Sequence, residues 1–161
     1  LAHPILADTV EGAKQKQAAM IAAQLRNTEA QLAGMSYYSG MDFSTFDLDQ
    51  PLPDLADKVN GHLSLYLDFA KNAQGKTLRE ALAVRAQTLS SVDLVGTPDT
   101  VADQMGEIMD YVGGDGFLIR AQPTRANMTE ICDGLAPALR KRGLIRSDYP
   151  HDTFKENLLA F

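Results

Sequence analysis

The sequence predicts an α/β chain in which a few parallel strands alternate with amphipathic helices, interrupted by a mainly helical insertion. Three observations predict it. Short apolar runs bounded by Gly, Ser or Pro occur at 2–7, 91–96 and 115–120, the length and punctuation of buried strands. Between the last two lies a helical stripe with a strong start signal, reached and left by connections of only a residue or two. Short links between alternating strands and helices imply parallel strands joined by right-handed crossovers.

Taken in order, the opening run Leu1-Ala2-His3-Pro4-Ile5-Leu6-Ala7 reads as a strand entered midway through a fold. Asp8 or Thr9 can cap a long helix from Val10 to about Met35, with Met20, Ile21, Leu25, Thr28 and Leu32 on one face. From Gly34 to Pro53 the periodicity dissolves, and interleaved Phe43, Phe46, Leu48 and Leu52 predict an ordered loop that packs down. A short helix follows from about Asn60 to Asn72. Thr77, with Glu80 as its capping-box partner, starts another through Leu78, Leu82 and Arg85.

After the run ending at Gly96, Thr97 caps a helix, Pro98 takes the first helical position and Asp99 puts negative charge in the first turn. Val101, Met105, Ile108 and Val112 form its buried stripe, and Gly113-Gly114 ends it. The strand from Asp115 to Arg120 leads through a loop, Ala121 to Asn127, into a helix from Met128 to Arg142. Met128, Ile131, Leu135 and Leu139 face inward there, Cys132 packs among them, Pro137 imposes a kink and Gly143 is the stop. In the tail from 144 to 161, Leu144, Ile145, Tyr149, Phe154 and Leu158 are expected to anchor a wrapping segment.

Three parallel strands leave edges and faces poorly covered. An eight-stranded barrel takes about 250 residues, so the 161 residues read as the C-terminal β/α units of a TIM barrel, with further strands expected upstream of Leu1. The expected division is a helical insertion at 10–90, closing β/α units at 91–143 and a wrapping tail at 144–161.

Charge and composition exclude several functions. A net charge of −6, a pI near 4.9 and no Lys/Arg face beyond Arg140-Lys141-Arg142 argue against nucleic acid; that triplet suits a helix C-terminus. No apolar run of about 18 residues predicts a membrane span. With one cysteine there is no intrachain disulfide, which fits the cytoplasm. His3, His62 and His151 lack metal-site spacing, and Asp47 with Asp49 lacks the oxygen-rich loop of a calcium site, so no metal is expected. Tyr37-Tyr38 with Phe43 and Phe46 suggest an apolar substrate channel or a lid, or else packing of the insertion onto the barrel or a subunit contact.

The run Leu94-Val95-Gly96-Thr97-Pro98-Asp99-Thr100-Val101-Ala102-Asp103-Gln104-Met105, followed by Gly113-Gly114-Asp115-Gly116-Phe117, resembles the last strand–helix–strand unit of bacterial luciferase-like flavin monooxygenases. The likeness narrows to the nitrilotriacetate, dibenzothiophene-sulfone and long-chain alkane monooxygenase group. Tyr38 to Ser44, Asp47 to Pro53, Gly75 to Glu80, Leu139 to Leu144 and Glu156-Asn157-Leu158 carry it. The resemblance implies a two-component monooxygenase that takes reduced FMN from a separate NAD(P)H:flavin reductase, reacts it with O2 and oxygenates a small organic substrate, as a homo-oligomer. It also implies that the catalytic and most flavin-holding residues lie upstream of Leu1, and that the chain needs the N-terminal barrel portion and is inactive without it.

Barrel sites lie at the C-terminal ends of strands. The candidates for a pocket wall are therefore Ile119, Arg120, Gln122 and the loop to Asn127, with Gly96 and Thr97 nearby. Arg120 can face an anionic substrate or a flavin phosphate, or simply pair with a carboxylate. His3 sits on a strand of the expected wall. A reading from another class is a non-catalytic α/β module that uses the aromatic insertion for protein association.

Overall fold

The computed structural model describes residues 1–87, 92–114 and 116–160. In chain order its elements are β1 (Ile5–Leu6), α1 (Val10–Arg26), α2 (Thr28–Ser39), α3 (Leu63–Ala73), α4 (Leu78–Ala86), β2 (Val95–Gly96), α5 (Pro98–Val112), α6 (Arg125–Thr129), α7 (Ala136–Lys141) and α8 (Phe154–Leu159). Short 3-10 turns lie at Phe43–Thr45 and Ala56–Lys58, and a π-helical turn joins α6 to α7 at Glu130–Leu135. The chain forms two compact units, Leu1–Gln17 with Ser90–Phe161, and Ala18–Leu89.

The first unit is built on parallel strands. β1 pairs with β2 in the register Ile5 with Val95 and Leu6 with Gly96. On its other edge Ala2 bridges Ile119, through Ala2 N–H to Leu118 C=O at 2.9 Å and Arg120 N–H to Ala2 C=O at 2.7 Å. β1 is therefore the middle strand, and the two ends of the β2–α5–Ile119 unit flank it instead of pairing with each other. Backbone alternation explains how one strand serves both edges, because the N–H of residue 2 and those of residues 5 and 7 point to opposite sides.

The same alternation sends Ala2 and Leu6, with Ile119 and Phe117, toward one face. There they pack with Leu94, Val101, Ala102, Met105, Leu135, Ala138 and Leu139. α5 lies on that face because its start is well made: Thr97 Oγ1 accepts from Thr100 N–H at 3.2 Å, Pro98 follows, and Gly113 ends the helix at φ 69°. Val112, the last residue of the expected stripe, is exposed.

The strands are shorter than expected. Only Val95–Gly96 pairs as β2, and Ser91 lies outside the described residues, as does Asp115. The run through Arg120 makes a single bridge, since it sits at the edge with β1 as its one partner, and Gly116 at φ 147° turns the backbone off an extended path just before it.

The expected helix from Met128 to Arg142 starts earlier and is interrupted. Thr124 Oγ1 accepts from Asn127 N–H at 3.3 Å and caps α6 from Arg125, within the expected loop. Pro137 has no N–H to offer and its ring crowds the carbonyl a turn before, and the π-helical turn absorbs that misfit with an extra residue. The wider turn shifts the inward face, leaving Met128 and Cys132 exposed while Leu135 and Leu139 stay buried. Gly143 at φ 68° stops the helix as expected. Arg142 does more than meet the helix end. It donates to Asp103 at 2.6 and 3.1 Å, to Asp99 at 2.8 Å and to the Ala138 carbonyl at 3.0 Å, tying α7 to α5.

In the tail, Leu144 and Ile145 pack on the core, but Tyr149, Phe154 and Leu158 are exposed. The anchor is polar. Buried Asn157 donates to the carbonyls of His151 and Thr153, accepts from His151 N–H, and offers its own carbonyl to Arg146. Thr153 with Glu156 caps α8.

In the second unit the expected long helix is broken at Asn27, whose side chain accepts from Ala30 N–H at 3.1 Å and starts α2 afresh. Asn competes for backbone donors and so favours a cap over a helix interior. Thr9, not Asp8, caps α1, accepting from Gly12 N–H at 3.0 Å. α2 runs on to Ser39, into the stretch expected as loop, and Gly40 in the left-handed region ends it; the remaining loop, 40–53, packs down as its apolar residues predict. Phe43 is fully buried, its ring 5.5 Å from Phe46 and 6.3 Å from Phe69, amid Met35, Leu55, Tyr66, Leu78 and Leu82. Leu78 and Arg79 N–H groups bond the carbonyls of Gln50 and Leu48, and Arg79 grips Asp49 with two bonds. The Thr77–Glu80 capping box forms as expected.

Candidate functional site

The segment leading into β1 and its bridge to Ile119 bring charged and polar groups together. Because Ala2 and Ile119 are bridge partners whose side chains enter the helix-covered core, the next residues, His3 and Arg120, stand side by side on the opposite face. Leu118 shares that face and is exposed, as is Arg120. Ile119, a candidate for the pocket wall, is a half-buried part of the apolar core beneath the strands. Gln122 is exposed, and its carbonyl accepts from Thr124 N–H and Asn127 Nδ2, which fixes the turn into α6.

A second pair sits at the same strand and has no sequence signal, its members being 114 positions apart. Lys16 Nζ, from α1, donates to both carboxylate oxygens of Glu130 at 2.6 and 2.7 Å and to the Leu6 carbonyl at 3.2 Å. Lys16 is thereby neutralised by a carboxylate, whereas Arg120 makes no ion pair among the described residues. Burial of the His3 ring, then the charges of Arg120 and Lys16, hold its pKa below the ordinary 6.5.

The unfolded chain therefore binds the His3 proton more readily than the folded one. Its contribution to stability is complete above the ordinary imidazole value and is lost as the pH falls from there through the lowered folded value. On moving from about pH 7.5 to about pH 5.5, the urea midpoint of the parent chain is expected to fall further than that of His3→Gln. Equal falls would remove this role from His3. The depressed carboxyls of Asp42, Asp49 and Asp103, held down chiefly by hydrogen bonds from Ser44, Arg79 and Arg142, titrate below this range and do not confuse the comparison.

The other sequence candidates resolve into structure. Thr97 is the α5 cap, and a Cβ on buried Gly96 would lie 3.0 Å from Thr100 Cβ. Asp47 bonds locally to Asp49 N–H. Tyr37 and Tyr38 do not join Phe43 and Phe46; they meet edge to face, with His62 beside Tyr38 and the Arg85 guanidinium 5.8 Å over its ring. Among the described residues no group of three His, Cys, Asp or Glu side chains could hold a metal ion, and no helix is long and apolar enough to cross a membrane.

Parallel strands joined through helices that pack on them define the α/β class of this unit, with buried Ile5 sharing the face of His3, and the comparisons with known proteins give that class a family. No family model matches the chain. It is 30% identical over 158 residues to N-acetyl-S-(2-succino)cysteine monooxygenase of Bacillus subtilis (strain 168), covering 96% of this chain and 35% of the relative. It is 30% identical over 134 residues to dimethyl-sulfide monooxygenase of Hyphomicrobium sulfonivorans, covering 83% and 28%. The crystal structure of a riboflavin lyase, solved with modified FMN and riboflavin, superposes with a TM-score of 0.71 at 27% identity over 99% of this chain and 34% of that one. Nitrilotriacetate, dibenzothiophene-sulfone and long-chain alkane monooxygenases are also among the relatives matched. The chain is homologous to the luciferase-like monooxygenases and corresponds to their C-terminal part, as the sequence resemblance implied. It spans about a third of the length of these relatives.

Proposed function

We propose that this chain is the C-terminal part of a two-component, FMN-dependent monooxygenase acting in the cytoplasm, and that its strand ends form one wall of the substrate pocket. The observation that carries the reading is the match over nearly the whole chain to monooxygenases and to a flavin-handling enzyme of the same fold. Reduced FMN, when bound, would supply the electrons that activate O2. The residues present fit a supporting role around such a group: Arg120 and Gln122 are exposed at the end of the bridged strand, with His3 beside Arg120. The strands and the α5–α7 layer hold that wall in place. A separate NAD(P)H:flavin reductase supplies the reduced flavin, and the remaining barrel strands and a homo-oligomeric assembly complete the enzyme.

The reading is tested by giving a full-length luciferase-like protein that contains this sequence reduced FMN from a flavin reductase, isotopically labelled O2 and a panel of organic sulfides and amino-polycarboxylates. One labelled oxygen atom is expected in the product. The 161-residue chain by itself is expected to retain no FMN on gel filtration. Stoichiometric FMN on that chain, or no labelled product from the full-length protein across the panel, would overturn the reading.

A further inference from the structure

We propose that Arg120, with His3 beside it, forms an oxyanion-recognition pair on the face of the parallel strands opposite the helix layer, taking the carboxylate of an acidic substrate or the phosphate of a flavin. The proposal deepens the pocket-wall reading above only in saying what the wall binds.

Three observations carry it. The register fixes the pair, since Arg120 N–H bonds Ala2 C=O at 2.7 Å and Ala2 N–H bonds Leu118 C=O at 2.9 Å, which sets His3 and Arg120 abreast. Facing direction is fixed by packing, because Ala2, Leu6, Phe117 and Ile119 all enter the apolar core on the other side. The charge balance leaves Arg120 positive: the Glu130 carboxylate is taken up by Lys16 through two short bonds, while Arg120 is exposed and makes no ion pair among the described residues. Proximity of the two groups is supported by the effect of the Arg120 charge on His3. A guanidinium offers a planar fork of donors that matches a carboxylate or phosphate with two parallel bonds. An imidazole beside it adds a donor, and a positive charge when the anion draws a proton onto it.

The test needs no oxygen chemistry. Imidazole resonances of the intact chain are followed by NMR during titration with succinate, inorganic phosphate, FMN and riboflavin, with His62 and His151 as internal references. A saturable shift of His3 alone is expected with at least one oxyanion. Succinate acting more strongly than phosphate or FMN identifies a substrate carboxylate; FMN acting while riboflavin does not identifies the flavin phosphate. Arg120→Gln is expected to weaken that binding about tenfold, the loss of a charge-assisted hydrogen bond, and Arg120→Lys to weaken it less. Arg120 is exposed, so neither variant threatens the fold.

No saturable shift at His3 with any of the oxyanions, or affinity unchanged in Arg120→Gln, overturns the pair. Riboflavin matching FMN without any response to succinate or phosphate overturns it as well. Because binding is read without reductase or O2, its failure leaves the oxygenation test standing, and failed oxygenation with retained His3 binding overturns the monooxygenase reading and not the pair.

Discussion

Replacing Gly61 by alanine is expected to destabilise the Ala18–Leu89 unit by about 3 kcal/mol or more, at the upper end of overpacking costs. A Cβ at this position would stand 2.1 Å from the Tyr38 carbonyl oxygen and 2.9 Å from Ser39 C. Those atoms are backbone, so no side-chain rotation can relieve the clash. The close approach has a purpose in the packing. Asn60 and Gly61 N–H groups both donate to the Ser39 carbonyl at 3.0 Å, and His62 N–H donates to Tyr38. These bonds satisfy carbonyls that the end of α2 leaves without helical partners, and they launch α3 beside α2. Moving residue 61 outward breaks all three together. Hydrogen exchange should show the amides of α2 and α3 losing protection in Gly61→Ala, with a lowered urea midpoint. Protection equal to that of the parent would mean that the 60–62 turn is free to move and that its bonds do not hold α3.

Leu135→Ala is expected to cost about 2–5 kcal/mol, the range for removing a large aliphatic side chain from a close-packed core. Leu135 is 1% exposed and ends the π-helical turn, packed in the cluster with Ala2, Leu6, Leu94 and Val101. The cavity would open in the cluster that Ala2 and Leu6 enter and against which Ile119 packs, so the register that sets His3 next to Arg120 should loosen with it. Urea denaturation checks the magnitude, and an unchanged dependence on denaturant would assign the loss to the native packing. Leu158→Ala is the matched control. Leu158 is 57% exposed, and its replacement should change stability by no more than about 0.5 kcal/mol. A large loss at Leu158 would instead mean that the tail is held by its apolar residues and not by Asn157.

Much of the local structure was legible because the chemistry that decides it lies within a few residues. Thr97-Pro98-Asp99, the Thr77–Glu80 box, and Gly113 and Gly143 as stops act over a single helical turn, and each performs in the structure as the sequence implied. The break at Asn27 had the same kind of signal, a side-chain acceptor three residues before a free N–H, but a helical apolar stripe running through it concealed the cap. Pro137 announced a disturbance without its form. The π-helical turn is one of several ways to accommodate a missing donor, and the choice moved Met128 and Cys132 to the surface.

The candidate site was only half legible. Arg120 and His3 could be singled out as a charge and an imidazole on strands, yet their adjacency depends on which strands pair, and that depends on contacts between residues over a hundred positions apart. Lys16 with Glu130 is the same case without even a local hint.

By itself, then, the sequence determined the α/β character, the helix starts and stops, the packed-down Phe43 loop and the likeness to luciferase-like monooxygenases, since these rest on periodicity, capping and motif order that neighbouring residues fix. Only the tertiary structure decided that β1 lies between β2 and the Ile119 segment, that Ile119 faces the core while Arg120 faces away from it, and that buried Asn157, not the tail's apolar residues, holds the C-terminal segment. The physical reason is that strand alternation gives every residue one of two faces, and long-range pairing and packing determine which of the two is buried.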